Sequence, residues 1–336
     1  MDRVYLQNGE QIDFDFYQNE KDFVVDEIPL GEFKGRGNFI ILHVKKVELT
    51  TWDMIAVFAE FLKVPAQKIG YAGLKDKHAT TTQYISVELK YEKELKKFRH
   101  PQIKILSTQH HTESIQMGGL AGNRFSINLY DINDIKAGRI EKLARKAEKN
   151  GVLNYFGYQR FGRDGDSINQ AKEMIAGELH VTDTKLKKFL ISIYQSTFFN
   201  EWLKERVALS GESEQFKLLE GDIYLSKDGK LITPTAPPLK DFQARKLVPT
   251  GLLCGRGVYR SRGEAREIEK KYDDEFLVEK GLRREAVVFP HAIVCKYNKG
   301  FGVLNISFTL PRGSYATVFL ESIANKNFTA KDVKKS

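Results

Sequence analysis

Two runs of strict alternation stand far apart in this chain, and they constrain its fold more than any other feature. Phe125, Ile127 and Leu129 take every second position of the first run. In the second, Gly302 to Leu310, the residues Leu304, Ile306, Phe308 and Leu310 alternate with Val303, Asn305, Ser307 and Thr309. A period of two is that of a strand with one buried face. Between the runs the text changes character. From Gly151 to about Glu285 it is mainly helical, with a long candidate helix from Lys185 to Val207 carrying Leu186, Phe189, Leu190, Ile193, Phe198 and Trp202. A loop-rich stretch follows, punctuated by glycines and prolines from Gly211 to Gly257, and a second helical stretch covers roughly Arg262 to Glu279. A late strand that completes a sheet begun in the first 150 residues makes the middle an insertion in a discontinuous α+β domain.

The early text supports that sheet. Phe39 to Val44 is a short apolar run between Gly35-Arg36-Gly37 and Lys45-Lys46, as a buried strand would be. Ile85, Val87 and Leu89 alternate along Tyr84 to Leu89. Thr50 or Thr51 is placed to cap a helix whose stripe is Met54, Val57, Phe58, Phe61 and Leu62, and Pro65 ends it. Asp134 to Lys149 reads as another helix, with Ile135, Ile140, Leu143 and Ala147 on its apolar face. No internal repeat interrupts this order.

Composition narrows the function classes. The formal net charge of +9 points weakly to a polyanionic partner. Two cysteines, Cys254 and Cys295, are too few for a disulfide framework and fit buried thiols in a reducing, cytoplasmic compartment. The N-terminus lacks a basic segment followed by an apolar one, so no secretory signal is expected. No window approaches 18 consecutive apolar residues, so no membrane span is expected either. The lysine-rich end, Lys326 to Ser336, is expected to fray.

The chain has no phosphate-binding Gly-x-x-x-x-Gly-Lys-Ser/Thr loop and no Gly-x-Ser-x-Gly elbow, and its histidines show no metal spacing. What stands out is Gly73-Leu74-Lys75-Asp76-Lys77-His78, with a threonine-rich run leading into the strand after it. A carboxylate held on a loop among cations stays ionised, as a nucleophile must be. On spacing alone a solvated charged turn is the simpler reading, and Lys75 and Lys77 point away from Asp76 if the segment is extended. Two further stretches mix arginine, aromatic and amide residues: Gly122-Asn123-Arg124-Phe125, and Asn154 through Tyr155, Phe156, Gly157, Tyr158, Gln159, Arg160 and Phe161 to Arg163. Aromatic rings stack on a flipped base, arginines pair with phosphate, and an amide suits a uracil edge. Core aromatics beside surface arginines explain the same text equally well.

Taken together and in order, these segments resemble the TruD family of tRNA pseudouridine synthases. The resemblance begins at Lys21 to Glu27 and runs through Gly35-Arg36-Gly37-Asn38, Lys46 and Thr51 to Gly73–Ala79. It continues with Gly122–Phe125, Asn154–Gly162, Pro249–Gly255 and Gly281–Glu285, and closes with Leu310–Thr317. It implies a pseudouridine synthase catalytic domain, residues 1–152 and 286–336, with a mixed or antiparallel sheet, interrupted by a mainly helical insertion domain at 153–285. It implies the isomerisation of uridine 13 in the D arm of tRNA, with no cofactor and no metal. The family's catalytic aspartate falls on Asp76, and its uridine-site residues fall on Phe23, Asn123 and Tyr315. Attack on the sugar, attack on the base and proton abstraction are all compatible with that aspartate.

Lys75, Lys77, His78, Arg124 and Arg160 are the candidate RNA contacts. The chain departs from the family at Tyr315, where phenylalanine is usual, at Tyr158, where many relatives have proline, and at Tyr17, where relatives often have lysine. The expected partner is tRNA, with no membrane and no obligate protein partner. With no long exposed heptad, a monomer is expected. The same chemistry on messenger or another RNA, or a non-catalytic RNA-binding or chaperone role, are the alternatives.

Overall fold

A computed structural model describes residues 2–6, 9–162, 166–211, 213–329 and 332. Arg163, singled out above, lies outside the described residues. The chain divides into two compact units, one of residues 14–137 with 291–313, the other of residues 138–290 with 314–332 and the stretch up to residue 13.

The two alternating runs pair directly in the first unit. Strand Val303–Pro311 lies antiparallel to Leu120–Tyr130, with Ile306 opposite Ile127 and Phe308 opposite Phe125. The sheet continues outward from Val303–Pro311 to His291–Asn298, and from Leu120–Tyr130 through Phe23–Pro29, Thr80–Glu88 and Phe39–Val47 to Ile103–His111. Only Phe23–Pro29 and Thr80–Glu88 pair in parallel among these, so the sheet is mixed. One face is apolar. Leu42 and Val44 with Ile85 and Val87 pack under helix Thr51–Leu62, against Met54, Ile55 and Phe58. Thr50 caps that helix through a reciprocal pair with Asp53, and Lys63 turns left-handed just before Pro65. The opposite face carries Ser126, Asn128, Asn305 and Ser307, which bond to one another, as a sheet with one wet face would.

The second unit is built on helix Thr184–Ala208, capped by Asp183. Its core gathers Tyr155, Phe199, Trp202 and Leu203 with Tyr5, Leu6 and Val318. The N-terminal residues and helix Ala316–Ala324 therefore pack with the helical segment, and the compact units divide the chain differently from the modules 1–152/286–336 and 153–285. The stretch read as loop-rich is also more ordered than expected. It holds strands Ile223–Ser226, Leu231–Ile232 and Leu247–Leu253, which with Leu282–Glu285 form a four-stranded antiparallel sheet. Short strands between glycine and proline turns leave too few residues for a visible period.

The expected helix at 262–279 stops early. It runs from Gly263 to Glu269 and tightens into a turn at Lys270–Tyr272, after which the Asp273 carboxylate pairs with Arg260 and Arg266. The tail does not fray at its start. Phe328 is buried and donates its N–H to the Glu321 carboxylate, which also holds Arg3 and Tyr5. Cys254 is buried, while Cys295 is only partly so. Among the described residues no helix is long and apolar enough to cross a membrane.

Candidate active site

The segment 72–79 leaves the short strand Gly70–Tyr71 and enters Thr80–Glu88, the strand that pairs in parallel with Phe23–Pro29. Its base is close-packed. A Cβ on Gly70 would stand 2.4 Å from the Ile115 carbonyl oxygen, so that crossing requires glycine. From there the backbone is tied at several points. Gly118 donates to the Ala72 carbonyl (2.7 Å). The Lys75 N–H donates to Thr51 Oγ1 (2.9 Å), and that hydroxyl donates in turn to Gln83 Oε1 (3.0 Å). The Lys46 ammonium donates to the Asp76 carbonyl (2.8 Å) and to the Leu49 carbonyl.

These ties leave the Asp76 side chain solvent-accessible, while Lys75 is buried and Lys77 is exposed. The Lys75 ammonium ends 2.5 Å from Glu27 Oε2, with both side chains almost wholly covered. Glu27 also accepts the Tyr84 N–H. An ammonium neutralised in this way is not offered to a phosphate. Lys46 has no accessible surface at all. Burial pulls its ammonium down to about 8, against the opposing effect of Asp76. Although it meets solvent, the Asp76 carboxyl is crowded by protein atoms, which raises it above the ordinary carboxylate range; Lys46, then Lys75 and His78, act against that rise. His78 Nδ1 stands 2.9 Å from Glu48 Oε2 at the surface.

Register places the remaining candidates. Side chains two apart on a strand share a face, and residues directly opposite across a ladder share it too. Phe23, Val25 and Glu27 therefore lie with Thr81 and Gln83, with Lys46 opposite Thr81, and with Asn123 opposite Glu27. Asn123, Glu27, Lys75 and Lys46 are thus gathered on the face that the Asp76 loop overlies. Thr81 Oγ1, Gln83 Nε2 and Asn123 Oδ1 are all buried without a hydrogen-bond partner. Orphaned polar atoms are uncommon in folded proteins, and three on one face concentrate hydrogen-bonding capacity there. Phe23 is on this face too but is only 2% exposed, edge-to-face with Phe125.

Arg124 is exposed and alternates to the opposite face. Tyr315 belongs to the second unit. It precedes helix Ala316–Ala324 and lies edge-to-face with Phe156, 6.2 Å between centroids. Arg160 in that unit lies over the rings of Phe156 and Phe189.

This arrangement, an accessible carboxylate on a loop pinned by buried lysines beside an orphaned amide, sits in a chain that matches known proteins along nearly its whole length. The family model for tRNA pseudouridine synthase D (TruD) matches residues 2–180 and 166–323. The chain belongs to the TruD family. A TruD protein named tRNA pseudouridine synthase D, from a Nitratiruptor species, is 41% identical, over 97% of this chain and 99% of that one. The protein of the same name from Sulfurimonas denitrificans is 39% identical over the same shares. The crystal structure of a candidate TruD protein from Methanosarcina mazei superposes with a TM-score of 0.73, covering 98% of this chain and 97% of that one at 20% identity, a likeness of fold. The α+β class read from the two alternating runs is that of this TruD neighbour.

Two residues of the site had no role in the sequence reading, although both stand in segments that carry the TruD resemblance. Lys46 reads there as part of a charged pair ending a strand. Its parity with Leu42 and Val44 was the available signal, because a lysine in step with core residues points inward. Glu27 shows the same parity with Phe23 and Val25. What no spacing could supply is that Lys75, coming from a loop, meets Glu27 there.

Proposed function

We propose that this chain isomerises uridine 13 in the D arm of tRNA to pseudouridine, with Asp76 initiating cleavage of the N1–C1′ glycosidic bond. Membership of the TruD family makes it a pseudouridine synthase acting on tRNA. The choice of uridine 13 rests on the family resemblance of the segments around Asp76. The observation that carries the role of Asp76 is its accessible carboxylate on a loop that buried Lys46 and Thr51 hold by the backbone.

The reaction breaks C1′–N1 and forms C1′–C5. The C5 hydrogen leaves and N1 gains a proton, so oxidation state and composition are unchanged. The target base must leave its stack to reach any side chain. Asn123 is proposed to hold the freed uracil through its amide, whose Oδ1 has no partner within the protein. Phe23 and Tyr315 are proposed as aromatic faces on the family resemblance alone. Exposed Lys77 and Arg124 are proposed as phosphate contacts, which makes binding salt-dependent.

Asp76→Asn keeps the shape of the side chain and removes its charge. Pseudouridine formation on unmodified tRNA is expected to fall by at least ~10³-fold, the scale of losing an essential group, with tRNA retention on a filter unchanged. Turnover at the parental rate would sink the assignment.

A further inference from the structure

Lys46 raises a question that the proposed reaction does not use. Burying an ammonium is costly unless a charge partner or a full set of acceptors meets it. Glu27 meets Lys75 in that way, and Asp222 meets Arg206. Lys46 is as buried as either cation, yet its two acceptors are neutral, the carbonyls of Leu49 and Asp76. Among the described residues no carboxylate oxygen comes within 4.0 Å of its Nζ. One of its two bonds therefore fixes the backbone of Asp76, while its charge remains unneutralised beside the Asp76 carboxyl.

Lys75 does not fill that place, because its charge is already offset by Glu27 at 2.5 Å. Lys77 does not fill it either, being exposed and screened by water. We infer that Lys46 is the positioning residue of the Asp76 site, a buried counter-charge that keeps the Asp76 carboxyl ionised while its ammonium tethers the loop by the backbone. This rests on the proposed role of Asp76.

The groups that face the pair are few. Around Asp76 stand Lys46, Lys75 and His78; around Lys46 stand Asp76, Lys75, Asp53 and Glu48. Burial already raises the Asp76 carboxyl, so loss of the cation that opposes this most raises it further. Burial also draws Lys46 down to about 8. An enzyme that needs Asp76 ionised and Lys46 charged has an acid limb set by Asp76 and an alkaline limb near pH 8 set by Lys46.

The test is single-turnover pseudouridine formation by the full chain on unmodified tRNA across pH 5 to 10, for the parent, Lys46→Met and Lys46→Arg, with Asp76→Asn as control. In Lys46→Met the acid limb is expected to move up by about one to two pH units, the scale of losing an adjacent opposite charge. At pH values below the parental acid limb the rate should fall by about 10- to 100-fold through that shift, with tRNA affinity within about threefold of the parent. In Lys46→Arg the acid limb is expected to stay in place and the limb near pH 8 to disappear, because a guanidinium does not deprotonate there. A merely structural lysine would lower the rate at every pH and leave both limbs where they were, and that result overturns the inference. If Lys46→Met does not fold, the alkaline limb of Lys46→Arg decides alone, and its persistence near pH 8 overturns the inference. Activity in Asp76→Asn would instead refute the role of Asp76, a separate outcome from an unmoved limb in the Lys46 variants.

Discussion

The segment around Asp76 and the segment around Asn154 attract attention in the sequence for one reason, cations threaded among glycines and polar or aromatic neighbours. Folded, they differ in what their polar groups are free to do. From Asn154 to Arg160 the groups are committed internally. Arg284 lies 3.9 Å over the Phe156 ring centroid and donates to both the carbonyl and the side-chain oxygen of Asn154. The Asn154 amide nitrogen donates to the Glu285 carbonyl. Burial pulls Arg284 down to about 10. Around Asp76 the commitments are made by backbone and by lysines beneath the loop, and a carboxylate and an amide oxygen are left over. Text of one kind is a packing device in one unit and a candidate site in the other. What separates them is whether each charge has been answered.

That contrast breaks if two substitutions fail to behave as opposites. Asp76→Asn, with its large loss of turnover, is expected to leave stability within about 0.5 kcal/mol, since it alters an accessible side chain. Arg284→Met is expected to cost about 3 kcal/mol, from a desolvated cation–ring contact and two lost hydrogen bonds to a buried amide. Its pH–rate limbs should keep their positions in whatever folds. Urea unfolding and single-turnover rates on both variants give the answer. A destabilised Asp76→Asn, or a stable Arg284→Met with shifted limbs, would merge the two regions into one class.

The sequence made much of this visible, and unevenly. The alternating runs at 125–129 and 304–310 implied one sheet with an insertion between its strands, because a period of two survives any distance along the chain. They pair residue for residue. The short strands at 223–232 and 247–253 were hidden, since two to four residues do not establish a period and the seven-residue strand carries Pro249 and Gly251 within it. At the site, Asp76 was legible through its loop and its family segments. Its neighbours were not, because Lys46 reaches its backbone from one strand and Glu27 reaches the adjoining Lys75 from another. Adjacency in sequence misdirected attention to Lys75, which turns inward to a carboxylate 48 positions earlier.

A smaller effect sharpens the comparison within the first unit. The Asp22 carboxylate is buried beside the site strand, and burial acts to raise it. Bonds from Tyr130 (2.5 Å), Asn128 (3.0 Å) and Asn19 (2.9 Å) outweigh that and hold it below its ordinary value. This charge is answered by direct side-chain hydrogen bonds, whereas that of Asp76 is opposed by Lys46 without one. The bond to Asp22, with burial, pushes the Tyr130 phenol up to about 12. A phenol raised on folding stabilises fully below its ordinary value near 10, and that contribution is lost as pH rises through about 12. Asp22 has the opposite sign: its contribution is present above the ordinary carboxylate value and lost as pH falls through the depressed one. Tyr130→Phe is therefore expected to cost about 1 kcal/mol at pH 7, and the two unfolding curves should converge between about pH 10 and 12. A constant gap across that window would show that the bond to Asp22 does not raise the phenol.

The smallest effect concerns Lys77, the exposed cation of the Asp76 loop, set against Arg160, whose guanidinium rests on two rings and on Ser196 Oγ at 3.3 Å. An exposed lysine that meets one phosphate contributes one released counterion. Lys77→Ala should therefore lower the slope of log affinity for tRNA against log salt by about 1 and leave stability within about 0.5 kcal/mol. Arg160→Ala is expected to do the reverse. It gives up ring contact and a side-chain bond, about 1 kcal/mol of stability, with a salt slope close to that of the parent. Filter binding from 50 to 300 mM salt, alongside urea unfolding, reads both. If Arg160→Ala lowers the slope while stability holds, its guanidinium meets phosphate in the complex. The insertion-side stretch would then belong with the Asp76 loop as an RNA-contacting element rather than with the packing of Arg284 on Phe156.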